Sequence, residues 1–215
     1  AKIRKEMETT SGWENWYRHV GHNWSRVIVG QASDKRYAEH AGQSVAAIAN
    51  AVGEDPWDTF FELAKTGAFA LPQTMTEANL SLEMRQEFVS FCTDVGPAGS
   101  GRIAAHPRAS GAFPRLLSRY VRDLGVISLE RAVAQASAAA CNVIQAYDRG
   151  RIAEGLAADL IVFDYDQLTE NATFAHPEAL STGMRYVIVN GVVVLNEGEY
   201  TGQRPGKVLR LSSPK

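Results

Sequence analysis

The 215-residue chain has two cysteines, Cys92 and Cys141, and neither belongs to a CxxC pair. So few thiols exclude a disulfide framework and make a reducing cytoplasm the expected setting. No apolar run approaches the ~20 residues that a membrane-spanning helix needs, and no stretch reads as a signal peptide. Lys and Arg (22) nearly balance Asp and Glu (24), and the sequence pI is about 6.2. A nucleic-acid partner is therefore not expected. Gly99-Ser100-Gly101 has no following lysine and is rejected as a phosphate loop. Internal repeats and low-complexity segments are also absent. What is present is an ordinary globular composition, 45% hydrophobic and 21% charged. Its length suits one large domain or two small ones. The chain opens at Ala1 directly into a charged helical pattern (Lys2, Arg4, Lys5, Glu6), as a fragment or a processed start would.

Hydrophobic spacing divides the chain near residue 148. Residues 1–20 are helix-like and lead into Trp13, Trp16, Tyr17 and Trp24, an aromatic cluster suited to packing. Residues 24–30 (WSRVIVG) read as a strand. Ser44 can cap a helix with Val45, Ile48, Ala49 and Val52 inside and Gly53 at its end. Asp55 can cap the next, with Pro56 in the first turn, Trp57, Phe60, Phe61 and Ala64 as its stripe, and Gly67 as its stop. A helix over 76–85 and a buried strand over 88–93 (FVSFCT) follow, then helices starting near Pro114 and Ser128. This alternation predicts βα units around a parallel sheet. After Asp148 the pattern turns to strands: 159–164, then 186–189 and 192–195 flanking Asn190-Gly191, a type I′ hairpin signal. The expected domains are residues 1–147 and 148–215.

Asp94 directly follows the strand expected over 88–93. A carboxylate at the carboxy-terminal end of a barrel strand can bind a metal or carry a proton to a leaving amine. The same position equally suits an Asp that caps the next loop through its amides. Twelve residues on, His106-Pro107-Arg108 lies in a loop before the next helix. The Arg108 guanidinium there can grip a carboxylate in bidentate fashion, with His106 beside it, or both can be plain turn residues. His19 and His22, spaced i, i+3, lack an acidic or Cys partner for metal binding. His40 and His176 read as surface residues, and Cys92 as a small core residue.

Three stretches together resemble the N-acyl-D-amino-acid deacylases (D-aminoacylases) of the amidohydrolase superfamily. They are FVSFCTDVGPAGSGRIAAHPRASGAFPRLLSRYVRDLGVISLERAVAQAS (88–137), DRGRIAEGLAADLIVFD (148–164) and NATFAHPEALSTGMRYVIVNGVVVLNEGEYTGQRPGKVLR (171–210). The order of their features is shared: a strand-end Asp, an HPR loop, a Phe-Pro helix start, an Ala-Asp-Leu strand and an Arg-Pro-Gly tail. Weaker similarity extends from Gly42 to Leu63. The resemblance implies an α/β fold, the last βα units of a metal-dependent (β/α)8 (TIM) barrel, followed by the carboxy-terminal part of a small β-sandwich. Residues 30–88 would include the family's lid over the site. It also implies one or two Zn²⁺ ions, with Asp94 as metal ligand and general acid/base, and Arg108 and His106 binding the carboxylate of an N-acyl amino acid.

Two departures bear on this. The family's Ser-Asp-Gly is here Thr93-Asp94-Val95, and the Val95 side chain can narrow a pocket. Its His-x-His metal pair occurs nowhere in the 215 residues. A barrel alone takes ~250 residues. The expectation is a carboxy-terminal portion, inactive alone, that needs the missing amino-terminal half as its partner. A dihydroorotase-, hydantoinase- or dipeptide-directed relative, and a non-catalytic binding or assembly module derived from the barrel half, are the alternatives.

Overall fold

The computed structural model describes residues 2–9, 12, 14–95 and 106–209, which form two compact units. The first comprises Ala1–Asn79, Pro97–Ala109 and Ala172–Ala179; the second comprises Leu80–Gly96, Ser110–Asn171 and Leu180–Lys215. Residue 148 lies within the second unit. Trp13 and the rejected loop at Gly99 fall outside the described residues.

In the first unit, helices α1 (Lys2–Glu8) and α2 (Trp16–His19) precede a 3₁₀ turn (Trp24–Arg26) and strand β1 (Val27–Gln31). Helices α3 (Lys35–Ala38), α4 (Val45–Val52) and α5 (Pro56–Thr66) then lead to strand β2 (Phe69–Pro72). The expected caps are in place. Ser44 Oγ accepts from the Ala47 N–H at 3.2 Å, and Asp55 Oδ1 from the Trp57 N–H at 2.9 Å. Gly53 and Gly67 end their helices at φ +73° and +83°, a region where a Cβ is costly.

The parallel sheet expected of βα units is not what β1 joins. It pairs antiparallel with β2, Ile28 opposite Leu71, while its other edge exchanges Gly42 N–H to Val29 O (2.7 Å) and Val29 N–H to Gln43 O (2.9 Å). Both edges of a strand buried from Val27 to Gly30 are thus served from nearby in the chain, without a crossover. The aromatic cluster forms around Tyr17, which stacks on Trp24 (4.2 Å between centroids), with Trp57 edge-on to both. Trp16 stands apart from it, 64% exposed.

A polar knot ties α3 to α5. Glu54 accepts from the Tyr37 hydroxyl and the Thr59 hydroxyl, both at 3.0 Å, and pairs with Arg36. Tyr37 and Thr59 are fully buried. Burial opposes ionisation of Glu54, but the hydroxyl donors and Arg36 outweigh it and hold its pKa below the ordinary 4.5.

In the second unit, α6 (Glu77–Met84, which crosses into it from the first) precedes the 85–95 loop; the run from α7 (Arg108–Arg115) continues as a π-helix (Leu116–Asp123). Pro114 explains the change of pitch: it has no N–H and its ring crowds the carbonyl four residues back. Helices α8 (Leu129–Ala136) and α9 (Ala138–Val143) follow. Four antiparallel strands come last, β3 (Leu160–Phe163), β4 (Met184–Val189), β5 (Val192–Asn196) and β6 (Glu199–Tyr200), hydrogen-bonded in sequence order. The Asn190-Gly191 turn has positive φ at both residues (48° and 78°), as a type I′ hairpin requires. Glu197-Gly198 repeats the geometry (46° and 86°) and adds β6, which the sequence pattern had not suggested.

The strand expected over 88–93 does not form. Residues 85–95 run as a turn and loop, and Phe88 is 86% exposed. Its β-branched and aromatic residues suit a strand, but among the described residues no neighbour offers a ladder of backbone partners. Arg122 anchors the other side of the unit: its Nη1 donates to the carbonyls of Tyr165 (2.9 Å), Asp166 (3.2 Å) and Leu168 (2.7 Å). Leu168 is fully buried, and its backbone lies where a Cβ on Gly183 would be, 2.6 Å away.

The Glu54 knot gives a stability prediction. Glu54→Ala strands two buried hydroxyls and should cost roughly 2–4 kcal/mol in urea denaturation. Because the folded pKa of Glu54 is depressed, its contribution is present above the unfolded value of about 4.5 and is lost as pH falls through the folded value. The gap between wild type and Glu54→Ala should therefore narrow in acid.

Candidate functional site

The HPR loop is built entirely within the first unit. Pro107 is buried between half-buried His106 and Arg108, which begins α7. His106 Nδ1 accepts the Arg108 backbone N–H at 3.0 Å, and the His106 carbonyl accepts from the Ala109 N–H at 3.1 Å. Those bonds occupy two of the amides that a helix start leaves without partners. The His106 ring meets Phe174 edge-on at 5.3 Å between centroids.

Phe174 is itself held by the turn 173–176, closed by reciprocal Thr173 and His176 backbone bonds at 3.1 Å. Beneath it lies Gly42 at φ +87°, where a Cβ would sit 2.6 Å from the Ala175 backbone. Gly42 in turn is bonded to β1. A path of direct contacts thus runs from a buried strand to the HPR loop. The sequence motifs pointed to His106 and Arg108 together, and the structure joins them. Phe174 was missed because its contact spans 68 residues and no local pattern reports it.

Burial pushes the His106 pKa below its ordinary 6.5, and the neighbouring Arg108 guanidinium adds to this. His106 is therefore neutral at neutral pH.

Asp94 belongs to the second unit, in the loop after α6. Buried Gln135 of α8 fastens that loop: its Nε2 donates to Met84 O (2.8 Å) and Gln86 O (3.3 Å), and its backbone carbonyl accepts from the Phe91 N–H (3.0 Å). Phe91 packs on Phe113 at 5.2 Å. Asp94 is exposed, in the left-handed region at φ +50°, which Asp tolerates better than most side chains. Its N–H donates to Cys92 Sγ at 3.4 Å. Cys92 is exposed and free, not the core residue expected.

The sequence suggests no acidic partner for His19 or His22, but the structure supplies one for His19. His19 faces Glu14 at 3.5 Å, and His22 lies edge-on to Tyr17. Among the described residues no group of three or more His, Cys, Asp or Glu side chains could hold a metal ion. No helix among them is long and apolar enough to cross a membrane.

Residues 41–195 match the Amidohydrolase family. The chain belongs to that family. Its α/β fold is the family's, and the relatives narrow the comparison. N-acyl-D-glutamate deacylase of Alcaligenes xylosoxydans xylosoxydans is 38% identical over 177 residues, covering 81% of this chain and 34% of the relative. D-aminoacylase of the same organism is 34% identical, over 81% of this chain and 35% of its own. A crystal structure of D-aminoacylase superposes with a TM-score of 0.67 at 31% identity, over 83% of this chain and 36% of that one. N-acyl-D-glutamate deacylase of Bordetella bronchiseptica, solved with zinc and a phosphonate mimic of the reaction's tetrahedral intermediate, gives 0.74 at 30% identity over 92% and 40%. The chain spans about a third of the length of the curated relatives it matches.

The depressed His106 pKa has a sign that can be checked. The unfolded chain binds more protons than the folded one below about pH 6.5, so stability falls as pH drops from there to the folded pKa and is unaffected above it. His106→Asn should remove that component from the acid limb of a pH series of urea midpoints.

Proposed function

We propose that this chain is the carboxy-terminal portion of an N-acyl-D-amino-acid deacylase, inactive alone. On this reading residues 1–147 carry the last βα units of the barrel with its lid segment, and residues 148–215 part of the β-sandwich. The observation that carries the proposal is the agreement of three relatives, an N-acyl-D-glutamate deacylase, a D-aminoacylase and an N-acyl-D-aspartate deacylase, each matched over 177 residues. The HPR loop, in which the His106 ring accepts the Arg108 backbone N–H beside the Arg108 guanidinium, supports it locally.

The described side chains do not fit a complete zinc site. Ligands for zinc would have to come from the amino-terminal portion of a longer polypeptide, with Asp94 as this chain's contribution. The reaction adds water across the amide: the C–N bond breaks, the carbonyl carbon gains an oxygen, and the amine leaves with an added proton. Within that scheme Asp94 is the group that gives the proton to the leaving nitrogen. Arg108 holds the amino-acid carboxylate through paired N–H donors and thereby fixes which amide is presented.

The test begins with the reading frame upstream of the Ala1 codon, where an open frame encoding a His-x-His is expected; a stop codon immediately upstream would favour the binding-module alternative. In the full-length protein, assayed with zinc on N-acetyl-D-glutamate, Asp94→Asn should lower kcat by about 10²–10⁴-fold. Arg108→Met should instead raise KM by about 10–100-fold, the loss of one charge-assisted carboxylate contact. Efficient turnover by the pure 215-residue chain would overturn the reading.

A further inference from the structure

We propose that His106 is a positioning residue for Arg108, acting as a neutral imidazole whose Nδ1 lone pair holds the Arg108 amide. This rests on the assignment of Arg108 to the substrate carboxylate, and it changes the part played by His106 from substrate contact to support. A backbone amide can only donate. The ring nitrogen that meets the Arg108 N–H at 3.0 Å must therefore present a lone pair, which places the single ring proton on Nε2. Protonating Nδ1 would set two N–H groups against each other.

The surroundings fix the same state. Among the described residues of its own segment the charged neighbour is the Arg108 guanidinium, which disfavours an imidazolium. From the 172–179 loop the ring meets the uncharged edge or face of Phe174, and that loop cannot withdraw without opening the Gly42–Ala175 backbone contact. With Pro107 buried between them, His106 and Arg108 have little freedom to move separately. The imidazole takes the place that an Asn or Asp side chain takes at a helix start, with proline in the following position. Unlike a carboxylate, it sets no negative charge beside Arg108 to compete with an incoming substrate carboxylate. This is the advantage of histidine over Asp at this position.

Two isosteric substitutions separate the ring's two ends. In Asn the amide oxygen lies as many bonds from Cα as Nδ1; in Gln the terminal amide lies where Nε2 does. In the full-length enzyme His106→Ala should raise KM for N-acetyl-D-glutamate about as far as Arg108→Met does, with kcat largely kept. His106→Asn should restore KM, and His106→Gln should not. In the Arg108→Met background His106→Ala should add little, because the two act as one unit. Rescue by Gln rather than Asn, or full additivity with Arg108→Met, would overturn the proposal. Imidazole nitrogen NMR of the 215-residue chain near neutral pH reads the tautomer without any turnover. A lone-pair-type Nδ1 signal is expected for His106, and a protonated Nδ1 would overturn the proposal even if the deacylase assignment holds. Should the tautomer be as expected but N-acetyl-D-glutamate fail to be a substrate, the deacylase assignment fails and the His106–Arg108 bond stands.

Discussion

A backbone amide taken from water must find a partner, and this requirement decides most of what is formed here. β1 is built where the chain can serve both of its edges, from β2 and from residues 42–44. Residues 88–93 have a strand's composition and no such neighbours, and they stay a loop. β4, β5 and β6 need only hairpins to pair, with Asn-Gly and Glu-Gly turns at the positive φ values those hairpins demand, while β3 reaches β4 across residues 164–183.

Where ladders are missing, single side chains take their place. The Gln135 side chain takes two carbonyls ahead of the loop that bears Asp94, Arg122 gathers three carbonyls around buried Leu168, and His106 takes an amide at the start of α7. In each case one side chain satisfies backbone groups of a distant or neighbouring segment, and so helps to set its conformation. That matters for chemistry, since a reacting group placed loosely loses most of its rate advantage.

The family membership and the absence of a metal-binding cluster among the described residues belong together. A hydrolytic metal site draws its ligands from several strand ends, and this chain spans about a third of the length of its relatives. This chain itself places a carboxylate, Asp94, in the loop after α6 and a guanidinium, Arg108, at the head of α7. The antiparallel pairing of β1 with β2 satisfies its hydrogen bonding locally.

The sequence by itself determined the local features. Caps at Ser44, Asp55 and Ser128, stops at Gly53 and Gly67 and the Asn190-Gly191 turn all act within four residues, so their chemistry is written in adjacent letters. The ordered motifs likewise marked the family, and they offered Asp94, His106 and Arg108 as candidates. Only the tertiary structure decided the direction of strand pairing, the loop state of residues 88–93 and the contact of Phe174 with His106. These depend on which distant segments are present to offer a hydrogen bond or a face. A strand's composition gives its tendency to pair, but the partner that fulfils it lies elsewhere in the chain.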